Sequence, residues 1–386
     1  MSSYQAALVV FVVGYSFFFC IYLWFCFNIK QKELRSFSRL TSYFTFVRNV
    51  SMDQEKRYAI VTGGNRGIGL EICRQLASVG VEVILTSRDQ SRGEEAVEKL
   101  NASGLSNVVF HQLDINDPTS IACLVKFIQT CYGKLDMLVQ VLDENVHLVT
   151  NFIREPYELG EKCLKTNYYA TKTVTESLMP LLQLSRSPRI VNLTSTYGDL
   201  YWFHNEKLKK ELEDIDNLTE ERIEEIIQGF LTDFKAGKLQ ENGWPLTVSA
   251  YKVSKAALNA YTRLMARKYD NMLVNCVHPG YVITDMTSQT GFLTAEEGAK
   301  GPVMTALLSN NGPSGVYFDQ TQIGSFSSKN LPYTIETPRW GHCETPPHAA
   351  GLDVLGSILR PKDFPPPGEN PPPPGPLTQF DAKRQG

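Results

Sequence analysis

The chain has 386 residues, 42% of them hydrophobic and 20% charged, with a formal net charge of -3. That composition excludes a chain disordered throughout and supplies enough apolar content for a large core, while the near-neutral charge excludes a strongly basic surface for nucleic acid. Eight scattered cysteines without a Cys-x-x-Cys pair fit a reducing compartment, and the six histidines do not fall at metal-ligand spacing, so no metal site is expected.

Residues 6–27, AALVVFVVGYSFFFCIYLWFCF, form an uncharged run of 22, long enough to span a bilayer. Its length and the lack of a basic start argue against a cleaved signal peptide. Lys30, Lys32, Arg35 and Arg39 follow it, which would leave the next domain on the cytosolic side. Two readings stay open. Either residues 1–56 hold a single-pass membrane tether and a basic linker, or the run is foreign to the working protein and Met52 is its ordinary start.

Residues 57–326 read as one α/β domain. Apolar, β-branched runs at 58–62, 81–86, 107–111, 135–140, 189–193, 273–277 and 315–318 predict seven strands, with amphipathic stretches such as 69–79 and 118–131 between them. Nearly continuous apolar strands predict a parallel sheet covered on both faces, a Rossmann-type doubly wound fold.

The first strand leads into TGGNRGIG, residues 62–69, and then into a helix. Strand, glycine loop and helix are in the order a dinucleotide site requires. Glycines let the backbone approach a pyrophosphate, and the helix N-terminus offers free N–H groups to it. The second strand ends in Thr86-Ser87-Arg88 with no closing acid, and Arg66 sits inside the loop. Two guanidiniums suit a ribose 2′-phosphate, so NADP(H) is the expected cofactor; Asp89, directly after Arg88, is the acid that would argue for a free ribose hydroxyl.

Six motifs in order carry a resemblance: TGGNRGIG at 62–69, LDI at 113–115, TNYYATK at 166–172, IVNLTSTYG at 190–198, YKVSK at 251–255 and HPGYVITDM at 278–286. With them the chain resembles the short-chain dehydrogenase/reductase family over about two thirds of its length. In detail it is similar to plant monomeric reductases of the neomenthol dehydrogenase, salutaridine reductase and carbonyl reductase type. The resemblance implies an NADPH-dependent ketone or aldehyde reductase, reversible as an alcohol dehydrogenase, acting on a small apolar metabolite such as a terpenoid or alkaloid ketone. It implies Tyr251 as proton donor with Lys255 one helical turn away, Ser195 on the substrate carbonyl, and Asn167 in a proton relay. On the cofactor it implies Gly63, Asn65, Arg66, Gly67, Ile68 and Gly69 at the phosphates, Arg88 at the 2′-phosphate and Asp114 with Ile115 at the adenine. Tyr251, Lys255, Pro279, Gly280, Val282 and Thr284 would then face the nicotinamide end. The chemistry is consistent: a free phenol is a weak acid at neutral pH, with a pKa of about 10, and a neighbouring ammonium favours its ionised form.

Between Ser195 and Tyr251 lie 55 residues, more than a strand-to-helix connection needs. Within this insertion, about 199–247, Ile223, Ile226, Ile227, Phe230, Leu231 and Phe234 fall at helical spacing behind Thr219 as N-cap, with Leu218 positioned to staple Ile223. In the monomeric relatives an insertion here covers the face that others use to dimerise, so a monomer is expected. Tyr201, Trp202 and Phe203 are candidates for an apolar substrate wall.

One departure stands out. Where the family carries Asn-Asn-Ala-Gly after the fourth strand, this chain has Gln140-Val141-Leu142-Asp143. The added bulk and charge leave a second reading open, a catalytically impaired cofactor-binding or scaffold protein on the same fold. Residues 327–386 hold 13 of the 21 prolines and cannot build a core. They are expected to be disordered or polyproline-like, either as an inert tail or as a ligand for a proline-recognising module.

Overall fold

The computed structural model describes residues 56–142 and 155–329. The apolar run at 6–27, Asp143 and residues 330–386 of the proline-rich segment lie outside the described residues. Among the described residues no helix is long and apolar enough to cross a membrane.

Eight strands form one sheet: β1 (Tyr58–Val61), β2 (Glu82–Ser87), β3 (Val108–Gln112), β4 (Met137–Gln140), β5 (Arg189–Leu193), β6 (Leu273–His278), β7 (Tyr317–Asp319) and β8 (Gln322–Ile323). Their spatial order is β3-β2-β1-β4-β5-β6-β7-β8. The first seven pair in parallel, with Ile60 of β1 facing both Ile84 of β2 and Leu138 of β4. The seven-strand expectation falls one short. β8 is a two-residue strand that turns back antiparallel on β7, too short and too exposed to leave an apolar run in the sequence.

Nine helices are described: α1 (Gly67–Ser78), α2 (Gln90–Ala102), α3 (Pro118–Cys131), α4 (Tyr157–Leu164), α5 (Thr171–Leu182), α6 (Glu206–Glu213), α7 (Glu220–Lys235), α8 (Ser249–Lys268) and α9 (Ala295–Ala306). A π-helical turn, Lys165–Ala170, joins α4 to α5. The starts follow ordinary capping chemistry. Asp89 caps α2, Asp117 caps α3 ahead of Pro118, and Thr294 with Glu297 closes a capping box on α9. Two separate apolar cores result, as a doubly wound sheet requires. One packs residues of α1, α2 and α9 on one face of the sheet, and the other packs α3, α5, α7 and α8 on the opposite face.

The insertion supplies α6 and α7. Thr219 caps α7, its hydroxyl accepting from Arg222 N at 3.2 Å, and Ile223, Ile226, Ile227, Phe230 and Leu231 are all buried. They cover α8, whose first fourteen residues, 249–262, are buried on every side. A helix wrapped all round must have cover on its outer face, and α7 provides it. Beyond β8 the chain folds back over the loop that follows β5. Phe326 O accepts from Leu200 N at 3.0 Å, the Arg263 guanidinium lies 5.0 Å from the Phe326 ring, and the buried Asp199 carboxylate accepts from Ser328 N at 3.0 Å and Ser328 Oγ at 2.5 Å.

Candidate active site

The strand order reverses between β1 and β4, and a crevice opens there at the carboxyl ends of the strands, where α/β sheets bind their ligands. Its lining includes Thr62, Gly63, Arg88, Ile115, Asn116 and Val141. The glycine loop shapes one side. Gly67 has φ +52°, a conformation that side chains disfavour, and a Cβ on Gly69 would stand 2.1 Å from Gly63 O. Helix α1 therefore starts directly against the loop, with its free N–H groups at the crevice.

Asn65 Oδ1 is buried without a hydrogen-bond partner among the described residues. An orphaned amide in such a loop fits a ligand carrying ribose hydroxyls and phosphates. Ile68 packs back into the core beneath. Asp114 spends its Oδ1 on Asn116 N at 2.9 Å, and Ser120 Oγ accepts from Asp114 N at 2.9 Å, which fixes the turn that carries Ile115 to the crevice.

The expected pair of guanidiniums is divided. Arg88 is exposed and lines the crevice, whereas Arg66 pairs through Nη1 with Asp285 on the loop after β6. That loop lies against the glycine loop, since a Cβ on Gly67 would sit 3.5 Å from Thr284 Cγ2. Pro279 and Gly280 open it, Gly280 at φ +90°, and Val282 is buried and bridges to Leu293. Asp89 is engaged elsewhere: its carboxylate accepts from Arg92 N at 3.0 Å as the cap of α2. The acid that argued for a free ribose hydroxyl thus has a local structural role.

The four residues assigned to proton transfer come from three elements. Tyr251 and Lys255 lie one turn apart near the start of α8, both buried, with Lys255 Nζ 5.3 Å from the Tyr251 ring centroid. Lys255 Nζ also donates to Leu193 O at 3.3 Å, which ties α8 to the end of β5. Two residues further on, Ser195 Oγ accepts from Tyr197 N at 3.2 Å, and the Tyr197 ring stands edge-on to Tyr251 at 6.2 Å.

Asn167 is fully buried in the π-helical turn, a distortion that often marks functional positions in helices. Its Nδ2 donates to Ser254 Oγ at 3.0 Å, and that hydroxyl donates to Tyr251 O at 2.7 Å. Asn167 Oδ1 is buried without a partner among the described residues. Asn167 thus reaches the Tyr251 backbone through one intermediate hydroxyl.

The first three residues of the replaced turn are integrated into this frame. Gln140 Nε2 donates to Thr175 Oγ1 at 2.8 Å and Asn192 Oδ1 at 2.9 Å, and Val141 O accepts from Thr62 Oγ1 at 2.8 Å. Leu142 is buried. Asn116 and Thr166 were not singled out from sequence. Asn116 directly follows the LDI motif and Thr166 opens TNYYATK, and that placement was the available signal. Of the aromatic trio, Trp202 and Tyr201 are half-buried near the site, with Trp202 5.6 Å from the Tyr197 ring. Phe203 is a correction: it is fully buried against Trp244 at 6.3 Å and belongs to the core.

Comparison with known proteins places the chain in a family. The sequence profile described as short chain dehydrogenase matches residues 57–207 and 239–291. (+)-Neomenthol dehydrogenase of Arabidopsis thaliana is 48% identical over 294 residues, 71% of this chain and 99% of that protein. Mouse (Mus musculus) carbonyl reductase [NADPH] 3 is 40% identical over 268 residues, 67% of this chain and 93% of that protein. Among solved structures, salutaridine reductase of Papaver somniferum superposes with a TM-score of 0.62 at 47% identity, covering 68% of this chain and 99% of that one. The chain belongs to the short-chain dehydrogenase family of oxidoreductases.

Proposed function

We propose that this protein is an NADPH-dependent carbonyl reductase, reversible as an alcohol dehydrogenase, acting on a small apolar ketone or aldehyde of the terpenoid or alkaloid kind. The observation that carries the reading is that Lys255 lies over the Tyr251 ring and bonds the end of β5, whose following loop sets Tyr197, bonded to Ser195, against Tyr251, with Asn167 linked to the Tyr251 backbone. The preference for the phosphorylated cofactor rests on Arg88 at the crevice, on Asp89 being occupied as a helix cap, and on the mouse relative whose name carries NADPH.

When bound, the reduced nicotinamide supplies a hydride to the carbonyl carbon. Tyr251 gives its phenolic proton to the carbonyl oxygen, where negative charge develops. The Lys255 ammonium favours the phenolate left behind. Ser195 Oγ donates a neutral hydrogen bond to the same oxygen, and Asn167 supports the return of a proton. Tyr197, Tyr201 and Trp202 offer an aromatic wall suited to an apolar ring.

The test is NADPH oxidation by the full chain with menthone-like ketones, beside Tyr251→Phe. Loss of the general acid is expected to lower kcat by about 10²–10⁴-fold. An unchanged rate in the variant would remove the mechanism. NADPH binding without turnover across a broad carbonyl panel would instead favour the second reading, a cofactor-binding protein impaired by its Gln140-Val141-Leu142-Asp143 turn.

A monomeric state follows from the same framework, because α7 already covers the outer face of α8. Sedimentation equilibrium of the described domain is expected to return the mass of one chain, and a dimer would overturn it.

A further inference from the structure

Lys252 follows Tyr251 in the sequence but points away from the Tyr251–Lys255 pair into a different environment. It is 4% exposed. Its Nζ stands 4.3 Å from the Trp202 ring centroid and 5.5 Å from that of Tyr197. The same ammonium donates to Leu246 O at 2.8 Å and Thr247 Oγ1 at 3.3 Å. Cation, two aromatic rings and two oxygens form a closed cage.

The cage joins two segments that must cooperate in catalysis. On one side is the start of α8, entered through Thr247 (φ +56°) and Val248 (φ +47°), two β-branched residues in the left-handed region. Such backbone persists only where its surroundings enforce it. The Glu155 carboxylate secures the same turn, accepting from Ser249 N at 2.6 Å and Ala250 N at 3.2 Å. On the other side is the loop after β5. Trp202 Nε1 donates to Thr196 O at 2.9 Å, and Tyr197 N donates to Ser195 Oγ.

We propose that the Lys252 ammonium, caged by Tyr197 and Trp202, is a positioning residue that clamps the Ser195 loop to the first turn of α8, so that Ser195 and Tyr251 address one carbonyl oxygen. The proposal rests on the reductase reading of those two residues. A hydrocarbon side chain would fill the same space without the desolvation cost of a buried charge, so the choice of lysine calls for a role that uses the charge. The titratable groups around it are Glu155 before α4 and Tyr197 in the loop, with Tyr281 beyond Tyr197. Burial pulls the Lys252 ammonium down to about 8, with Glu155 opposing. The clamp therefore releases as the pH rises through that value.

The experiment uses the full chain, Lys252→Met and Lys252→Arg, with kcat and KM measured from about pH 6 to pH 10. The Trp202 emission is followed over the same range as the difference from Trp202→Phe. The expected wild-type result is a change in Trp202 emission near pH 8 that coincides with a decline in kcat. Lys252→Met is expected to lose both features and to show a kcat about tenfold lower or more with little change in the KM for NADPH. Lys252→Arg, which stays charged, is expected to carry its activity past pH 8 without the decline. A Lys252→Met chain with the wild-type rate and pH profile would overturn the proposal. So would a parallel loss of NADPH binding, which would mark a purely structural role. An emission change near pH 8 in a protein that turns over no carbonyl would defeat the reductase reading and, with it, the positioning role, while leaving the cage itself intact.

Discussion

Arg88 and His278 illustrate how one side chain's surroundings set what it can do. Arg88 lies exposed at the crevice mouth beside Ser87, where the phosphate that distinguishes NADPH from NADH would sit. Arg88→Ala is expected to raise the KM for NADPH by about tenfold, the loss of one charge-assisted contact, while the KM for NADH moves little. Steady-state kinetics with both cofactors checks this. His278 ends β6 in a buried position, and burial lowers its pKa from the ordinary 6.5 to about 4. Between these values the unfolded chain binds the proton and the folded one does not. The stabilisation is therefore complete above pH 6.5 and drains away as the pH falls toward 4, by roughly 3 kcal/mol in all. Urea midpoints are expected to fall across that window, and His278→Gln should flatten the slope. At this scale the sequence was readable where chemistry rides on fixed local spacing. Tyr251 and Lys255 share one helix, and Gly63, Gly67 and Gly69 share one turn, so their juxtaposition needed no tertiary knowledge. Asp89 was ambiguous because a carboxylate after β2 can meet a ribose or cap a helix, and only the backbone of α2 decides. Lys252 gave no signal, since the two rings of its cage, Tyr197 and Trp202, come from far earlier in the chain.

Elements with strong periodicity were equally legible. Helix α7 starts at the expected cap and buries the expected stripe except Phe234, which is half-buried. Phe230, fully buried, packs on Phe234 and Trp244 at 5.4 Å each, so Phe230→Ala is expected to cost about 3–5 kcal/mol. Chemical denaturation measures that loss. Because α7 backs α8, the same variant should loosen the placement of Tyr251 and lower kcat at temperatures where the fold survives. Helix α6 left no comparable trace. Its eight residues, EKLKKELE, bury only Leu212, and Asn205 alone marks its start. The π-helical turn at Asn167 was also hidden, because one extra residue per turn changes the hydrogen-bond register without changing composition.

In the molecule as a whole, two cores flank one sheet, the crevice lies at the carboxyl ends of its strands, and Lys255 bonds the carboxyl end of β5. The doubly wound architecture was legible because seven apolar runs alternate with helical ones; β8 escaped because two exposed residues carry no pattern. The expected domain boundary at 326 stops two residues short of the last contact described. Ser328 delivers both its amide and its hydroxyl to Asp199, a buried carboxylate four positions beyond Ser195. Trimming the C-terminus for expression or crystallisation therefore reaches the loop that follows β5 and carries Ser195. A stop codon after 326 would strip two donors from an enclosed carboxyl group, whereas one after 329 would leave that lashing whole.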